Sequence, residues 1–159
     1  MYNHLWRIGM KKLVLLFIVF CALFMFTGCS SKNVEGSLED IMTKLYDGIS
    51  EENLPMGLSN IEVNSENIEY YLGTSDIKYT EALASEPMIT SIAHSVVLLR
   101  VQDGEDVEAI KTKIKDNVNP RKWLCVGVEN VIVKSKGDLI VLIMNDTIGE
   151  EISTNFDSL

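Results

Sequence analysis

The chain has 159 residues, with 23 acidic and 14 basic side chains and a formal net charge of −9. This excess of negative charge argues against nucleic-acid binding, which requires a basic surface. The length suits a single domain with an apolar core and is too short for two.

An apolar segment near the N-terminus predicts export. Arg7, Lys11 and Lys12 supply positive charge, and residues 13–26 then form an uncharged apolar run of 14 residues. A membrane-spanning helix needs roughly 20 such residues, whereas the apolar part of a signal peptide has about 7–15. We therefore predict a signal peptide over residues 1–28.

The signal has the features of a lipoprotein signal. Gly28-Cys29 follows the apolar run, and a polar stretch begins at Ser30. In such signals the cysteine thiol receives a diacylglyceryl group, whose two chains suffice for stable anchoring. Cys29 is thus the predicted lipid-attachment residue, residues 29–36 a short tether, and the extracytoplasmic face of the cell membrane the expected location. The alternative, an uncleaved anchor, is disfavoured by the short apolar run.

Removal of the signal leaves an acidic mature chain with one free thiol. The signal takes three basic residues, which leaves 11 basic against 23 acidic side chains and a net charge of −12. Broad attraction to anionic lipid or wall polymer is therefore not expected. Cys125 remains alone, so it has no intramolecular disulfide partner. Because Cys125 lies in the apolar run from Trp123 to Val128, we predict a buried, unreactive cysteine.

The domain is predicted to begin at Ser37, which can cap a helix. Apolar residues then recur at helical spacing, at positions 38, 41, 42, 45 and 49. A short strand around Ile61 and Val63 and a brief helix ending before Gly73 are expected next. The remaining predicted elements are strands over residues 78–86 and 93–102, a helix over 106–118, strands over 123–134 and 139–145, and a last helix from residue 146 or 147.

The pattern predicts an α+β fold for a single domain over residues 37–159. Lys136-Gly137-Asp138 is a hairpin turn signal between the last two strands. We therefore expect an antiparallel sheet of about four strands, arranged as two hairpins, with helices packed on one face.

No catalytic, metal or cofactor site is predicted. His94 is the one histidine left after signal cleavage, and one histidine with one free cysteine falls short of the usual zinc ligand sets. Its position inside a predicted strand favours a packed side chain over a catalytic one. The basic segment from Lys111 to Lys122 and the pair Tyr70-Tyr71 are candidate contact residues. For these too, ordinary structural roles are favoured.

Several stretches together resemble a known family. They are the lipoprotein signal, the first helix, Ser85-Glu86-Pro87-Met88, AHSVVLLRVQDGEDVEAIK and Asn119-Pro120-Arg121-Lys122-Trp123-Leu124-Cys125. They look like small lipoproteins of Gram-positive bacteria that carry the domain of unknown function numbered forty-three fifty-eight, over roughly residues 37–146. The resemblance implies location and a compact α+β domain. It implies no activity and no functional residues.

We therefore expect a lipid-anchored, non-enzymatic module of the cell envelope that binds a protein or a small ligand. Its contact with the membrane would be the lipid on Cys29, and its envelope partner is not identified by the sequence. The alternative is a carboxylate-based hydrolase acting on cell-wall polymer, which would need two carboxylates at a defined separation around a cleft.

Overall fold

The computed structural model describes residues 33–159. The predicted signal peptide and Cys29 lie outside the described residues. The elements are α1 (Leu38–Leu45), β1 (Leu58–Glu62), α2 (Ile68–Leu72), β2 (Tyr79–Pro87), β3 (Ser95–Val101), α3 (Val107–Asn117), β4 (Val131–Lys136), β5 (Leu139–Met144) and α4 (Gly149–Ser158), with a 3-10 turn at Glu51–Asn53. Within residues 33–159, no helix is both long and apolar enough to cross a bilayer.

The strands form one antiparallel sheet in the order β1-β2-β3-β5-β4. β2 pairs with β3 and β4 with β5, so both predicted hairpins are present. β3 pairs with β5 and joins the two hairpins. The predicted α+β fold is confirmed. The sheet has five strands where about four were expected, because β1 adds to the free edge of β2.

Helices cover both faces of the sheet. Successive side chains of a strand point to opposite faces. In β3, Val97 and Leu99 pack with α2 and α3, whereas Val96 and Leu98 pack with α1 and α4. The prediction of helices on one face was wrong in this respect. The physical reason lies in β5, where all six residues are apolar and buried, which requires cover on both sides.

Local capping explains where two helices begin. The Ser37 hydroxyl oxygen accepts a hydrogen bond from the Asp40 backbone N–H at 3.1 Å. The Asp106 carboxylate accepts one from the Ala109 N–H at 3.0 Å. Each side chain satisfies a donor that the first helical turn leaves free. Asp106 therefore serves the N-terminus of α3.

Residues 123–130 form an irregular loop, so the predicted strand from Trp123 begins only at Val131. The Asp146 carboxylate accepts the backbone N–H groups of Glu129 and Asn130, at 2.7–3.2 Å. These donors are therefore satisfied without a neighbouring strand. Cys125 has a φ of 61° and is exposed, so the prediction of a buried cysteine was wrong. The loop that contains Cys125 lies at the surface, where the neighbouring Leu124 is also exposed.

The sheet has two distinct ends. At the loop end, β2 finishes at Pro87, β3 starts at Ser95 and β5 finishes at Met144. At the opposite end, called the tether end here, Arg100 of β3 faces Leu139 of β5. The five residue steps from Ser95 to Arg100 separate the two ends by roughly 17 Å of strand.

Candidate functional site at the loop end

A buried ion pair lies at the loop end. The ammonium Nζ of Lys122 is 2.5 Å from Oε1 of Glu86, and the two side chains are only 3% and 7% exposed. Lys122 also donates a hydrogen bond to the Ser95 hydroxyl at 3.2 Å. The pair thus links the end of β2 and the start of β3 to the loop that contains Lys122.

Aromatic rings surround the ammonium group. Lys122 Nζ lies 4.5 Å from the ring centre of Tyr70, 4.8 Å from that of Tyr71 and 5.5 Å from that of Trp123. The two tyrosine rings pack edge to face at 5.0 Å. These distances are within the range of cation–π attraction, which strengthens where water is excluded. The rings offset part of the cost of burying the charge.

Burial shifts the proton affinities of these groups. Desolvation lowers the pKa of Lys122, and the charge and hydrogen bond of Glu86 act against this shift. Burial raises the pKa of Tyr71 to about 12, with smaller contributions from Glu86 and Tyr70. Tyr71 is therefore neutral at physiological pH and cannot replace Glu86 as the anionic partner.

A second set of hydrogen-bonded polar side chains lies next to this pair, around His94. His94 is fully buried just before β3. Its Nε2 lies 2.8 Å from the Tyr46 hydroxyl, and its Nδ1 lies 3.0 Å from the amide nitrogen of Asn145. The Asn145 amide oxygen accepts the backbone N–H groups of Thr147 and Ile148. Because that oxygen is engaged, we infer that the Asn145 nitrogen donates to Nδ1 and that His94 carries its proton on Nε2.

The buried network holds the loops together. Burial lowers the pKa of His94 to about 4, so the ring is neutral at pH 7. Burial also raises the pKa of Tyr46; the hydrogen bond with Ser85 opposes this shift, and the charge of Glu86 adds a smaller increase. His94 and Ser95 are both fully buried, so a substrate would reach neither without movement of the loops. Among the described residues, no cluster of His, Cys, Asp and Glu could hold a metal ion.

An exposed apolar surface covers this end of the molecule. The large hydrophobic side chains that are strongly exposed within residues 33–159 are Met56, Tyr70, Met88, Ile89 and Leu124. We call these five residues the apolar patch. Their exposed fractions reach 75% for Met56, 81% for Met88 and 67% for Leu124.

Backbone hydrogen bonds bring the segments of the apolar patch together. The Met88 N–H donates to the Gly57 carbonyl at 3.1 Å, next to Met56. The Leu124 N–H donates to the Thr90 carbonyl at 3.0 Å, next to Ile89. Tyr70 joins them through its contact with Lys122. These hydrogen bonds and the contact with Lys122 therefore place all five residues at the same end of the sheet, next to the buried network.

The candidate contact residues differ in where the structure places them. Lys111 pairs with Glu108 and Lys113 with Asp76, while Lys122 points inward. The predicted basic surface therefore does not form as a unit. Tyr70 and Tyr71 do contact Lys122, and this convergence of two candidate groups was not predicted.

Sequence reasoning missed Glu86, His94's partners and the apolar patch. Glu86 and Lys122 lie 36 residues apart, and the contact exists only because β2 and the loop after α3 end at the same edge. One feature of the sequence could have indicated the contact. Ser85-Glu86-Pro87-Met88 and Lys122-Trp123-Leu124 both belong to the stretches that resemble the family.

The hydrolase alternative would need a cleft with carboxylates. A cavity of about 420 Å³ between α1 and the β1–β2 edge is lined by several residues that include Glu39, Glu62 and Glu81. Arg100 Nε lies 2.6 Å from Glu81 Oε1 and neutralises that carboxylate. Hydrolysis by the remaining two carboxylates stays a prediction.

Comparison of the chain with protein-family models, with curated proteins and with solved structures returned no match. The resemblance to the lipoprotein family therefore stays a prediction.

Proposed function

We propose that this protein is a lipid-anchored module of the extracytoplasmic membrane face that binds an envelope protein through the apolar patch. The observation that carries the proposal is the concentration of exposed large hydrophobic side chains at the loop end. Exposed apolar side chains scattered singly are normal, whereas contiguous ones mark interaction surfaces. The signal and Cys29 support the anchored location.

The composition of the patch suits protein binding. Methionine side chains are flexible and polarizable, and they adapt to irregular partner surfaces. Full burial of one Met, Leu or Ile side chain contributes about 1.5–3 kcal/mol. A few such anchors at the centre of an interface carry most of its binding free energy. Met88, Ile89 and Leu124 would be those anchors.

The buried network beneath the patch also favours binding. The Lys122–Glu86 pair and the His94–Asn145 contact tie together the loops that carry the exposed side chains. A surface that is already ordered loses less conformational entropy when a partner binds. The network would thus contribute to affinity without touching the partner.

Cys125 allows a direct test. Once Cys29 is lipidated, Cys125 is the one free thiol of the mature chain, and it is exposed next to Leu124. A thiol-linked photo-crosslinker on Cys125 in intact membranes should capture one recurrent envelope protein. The matched control carries Cys125→Ser and Asp103→Cys, which moves the probe to an exposed position beyond Arg100. Equal capture from both positions, or none from Cys125, would contradict the proposal.

The anchor is tested separately by the mass of the N-terminal peptide from membranes. We expect a diacylglyceryl-modified Cys29 as the first residue, and loss of membrane attachment in Cys29→Ala. An unmodified Cys29 still joined to Gly28 would exclude the lipoprotein assignment.

A further inference from the structure

The chain enters the domain at the tether end. Arg100 donates from Nη1 to the Val34 carbonyl at 2.7 Å and from Nη2 to the Gly36 carbonyl at 2.9 Å. Val34 also packs against the apolar layer formed with α1 and α4. The last residues of the predicted tether are therefore bound to the domain at the end opposite to the apolar patch.

This attachment orients the domain relative to the predicted anchor. Five residue steps separate Cys29 from Val34, and even fully extended they span at most roughly 17–18 Å. The bilayer would therefore lie next to the tether end. For the apolar patch to touch lipid, the tether would have to run fully stretched along the whole strand length. With the lipid on Cys29, the patch would face away from the membrane.

Charge limits the choice of partner further. The mature chain has a net charge of −12, which opposes pairing with a second copy or with an anionic lipid surface. Glu51 and Glu52 are exposed in the segment that leads to Met56, and Glu129 is exposed just before β4. None of the three forms an ion pair with a described residue. An apolar surface on a chain with unpaired carboxylates and a large negative net charge is complementary to an apolar segment flanked by Lys or Arg.

We infer that the apolar patch binds a basic amphipathic segment of a protein that lies farther from the bilayer than this domain. The inference rests on the proposed function and specifies its partner. Apolar side chains of the segment would cover Met88, Ile89 and Leu124. Its cations would approach these unpaired carboxylates and would steer the encounter.

The test uses defined peptides and the mature chain, residues 29–159, with Cys29→Ser and an environment-sensitive dye on Cys125. Three synthetic peptides have the same length and the same helical pattern of two residue types. One combines Leu with Lys, the second combines Leu with Glu, and the third replaces the Leu of the first by Ser. We expect the Leu/Lys peptide to bind at least about tenfold more tightly than either of the others, and the Met88→Ser/Leu124→Ser variant to lose this preference. A Gln102→Ser variant, altered at the tether end, should bind as the parent does.

Three outcomes would overturn the inference. Equal binding of Ser/Lys would mean charge attraction without the patch, and equal binding of Leu/Glu would mean no charge preference. Unchanged binding by the double variant would place the contact elsewhere. The cross-linking in membranes is independent of these peptides. If the cross-link at Cys125 joins an acidic segment of the captured partner, a basic segment is excluded as the ligand. The proposed function, binding of an envelope protein, would still hold.

The orientation has its own measurement. The lipidated chain is placed in phosphatidylcholine vesicles that contain a quencher lipid, with the dye either on Cys125 or on Asp103→Cys in a Cys125→Ser background. We expect stronger quenching at position 103. Stronger quenching at Cys125 would mean that the patch contacts the bilayer, and this outcome would overturn the inference.

Discussion

The two ends of the sheet use similar ion pairs in different surroundings. At the tether end, Arg100 contacts Glu81 at 2.6 Å and Asp138 at 3.5 Å, with side-chain exposures of 16%, 47% and 19%. At the loop end, Lys122 and Glu86 are both nearly inaccessible. Exposed pairs contribute about 0–1 kcal/mol, whereas removal of one partner from a buried pair costs about 3–5 kcal/mol. Burial, more than distance, therefore decides how much each pair matters.

The ends also differ in what they present to solvent. The loop end holds charged and polar groups inside and large apolar side chains outside. This arrangement is the reverse of the usual distribution in a soluble domain. The tether end follows the usual pattern, with exposed carboxylates and turns. This inversion supports the proposal that the loop end, and not the tether end, binds a partner.

Lys122→Met should have the largest effect. The substitution leaves Glu86 buried without a cation, so the free energy of unfolding should fall by about 3–5 kcal/mol. Urea denaturation at pH 7, followed by tryptophan fluorescence, measures the loss. The matched control is Lys113→Met, because its partner Asp76 is 96% exposed and solvent screens the pair, so the expected loss is much smaller. Equal losses in the two variants would contradict the contrast between buried and exposed pairs.

Acidification should destabilise the loop end next most strongly. The folded pKa of His94 is about 4, against 6.5 for the free side chain, because burial disfavours the charged ring. Between these values the unfolded chain binds the proton and the folded chain does not. Stability from His94 is thus complete above pH 6.5 and decreases as the pH falls toward 4, by about 3 kcal/mol.

The measurement compares the parent with His94→Gln by urea denaturation at pH 7, 5.5 and 4. The variant removes the titrating ring, so its stability should fall less steeply with decreasing pH. Other carboxylates titrate equally in both chains, so only the difference between them is assigned to His94. Parallel pH dependences would show that His94 is not buried in the neutral form.

Arg100→Gln should act at the tether end with a smaller effect. It removes the cation that contacts Val34, Gly36, Glu81 and Asp138, and we expect a loss of about 1–2 kcal/mol. The more specific readout is hydrogen exchange, which should accelerate in residues 33–37 and remain unchanged around Lys122. Lys78→Gln is the control, since Lys78 pairs with Glu105 without touching the tether. Unchanged exchange in the Arg100 variant would mean that the tether is not held by this side chain.

Met88→Ser/Leu124→Ser should change stability least. Both side chains are strongly exposed, so the free energy of unfolding should stay within about 0.5 kcal/mol of the parent. Cross-link yield from Cys125 should nevertheless fall severalfold, whereas Gln102→Ser should keep it. A large loss of stability in the double variant would indicate that the patch packs within the domain and is not free for a partner.

Local patterns predicted the elements well. Ser37 and Asp106 begin the helices α1 and α3 as expected, and the turn at Lys136-Gly137-Asp138 joins β4 to β5. Each of these features depends on residues within a few positions of one another. The apolar run of β5 also contained evidence for a sheet covered on both faces. That pattern indicates more than the predicted arrangement with helices on one face, which the structure contradicts.

Long-range features were predicted poorly. The predicted strand from Trp123 fails because Asp146, 17 residues beyond Glu129, satisfies the loop donors. Cys125 is exposed in a surface loop, although its neighbours in the sequence are apolar. The hydropathy of a segment indicates what it would prefer to bury. It does not indicate whether the chain turns away before that preference is met.

The sequence by itself determined the order of helices and strands, the two hairpins, the capping residues and the acidity of the domain, because these depend on composition and short-range spacing. It also predicts export and lipid attachment at Cys29. Only the tertiary structure decided that Lys122 is enclosed with Glu86, that His94 is buried against Asn145, and that five exposed apolar side chains lie at the same end of the sheet. The reason is physical: burial and charge pairing depend on which distant segments meet, and the antiparallel sheet brings those segments to its loop end.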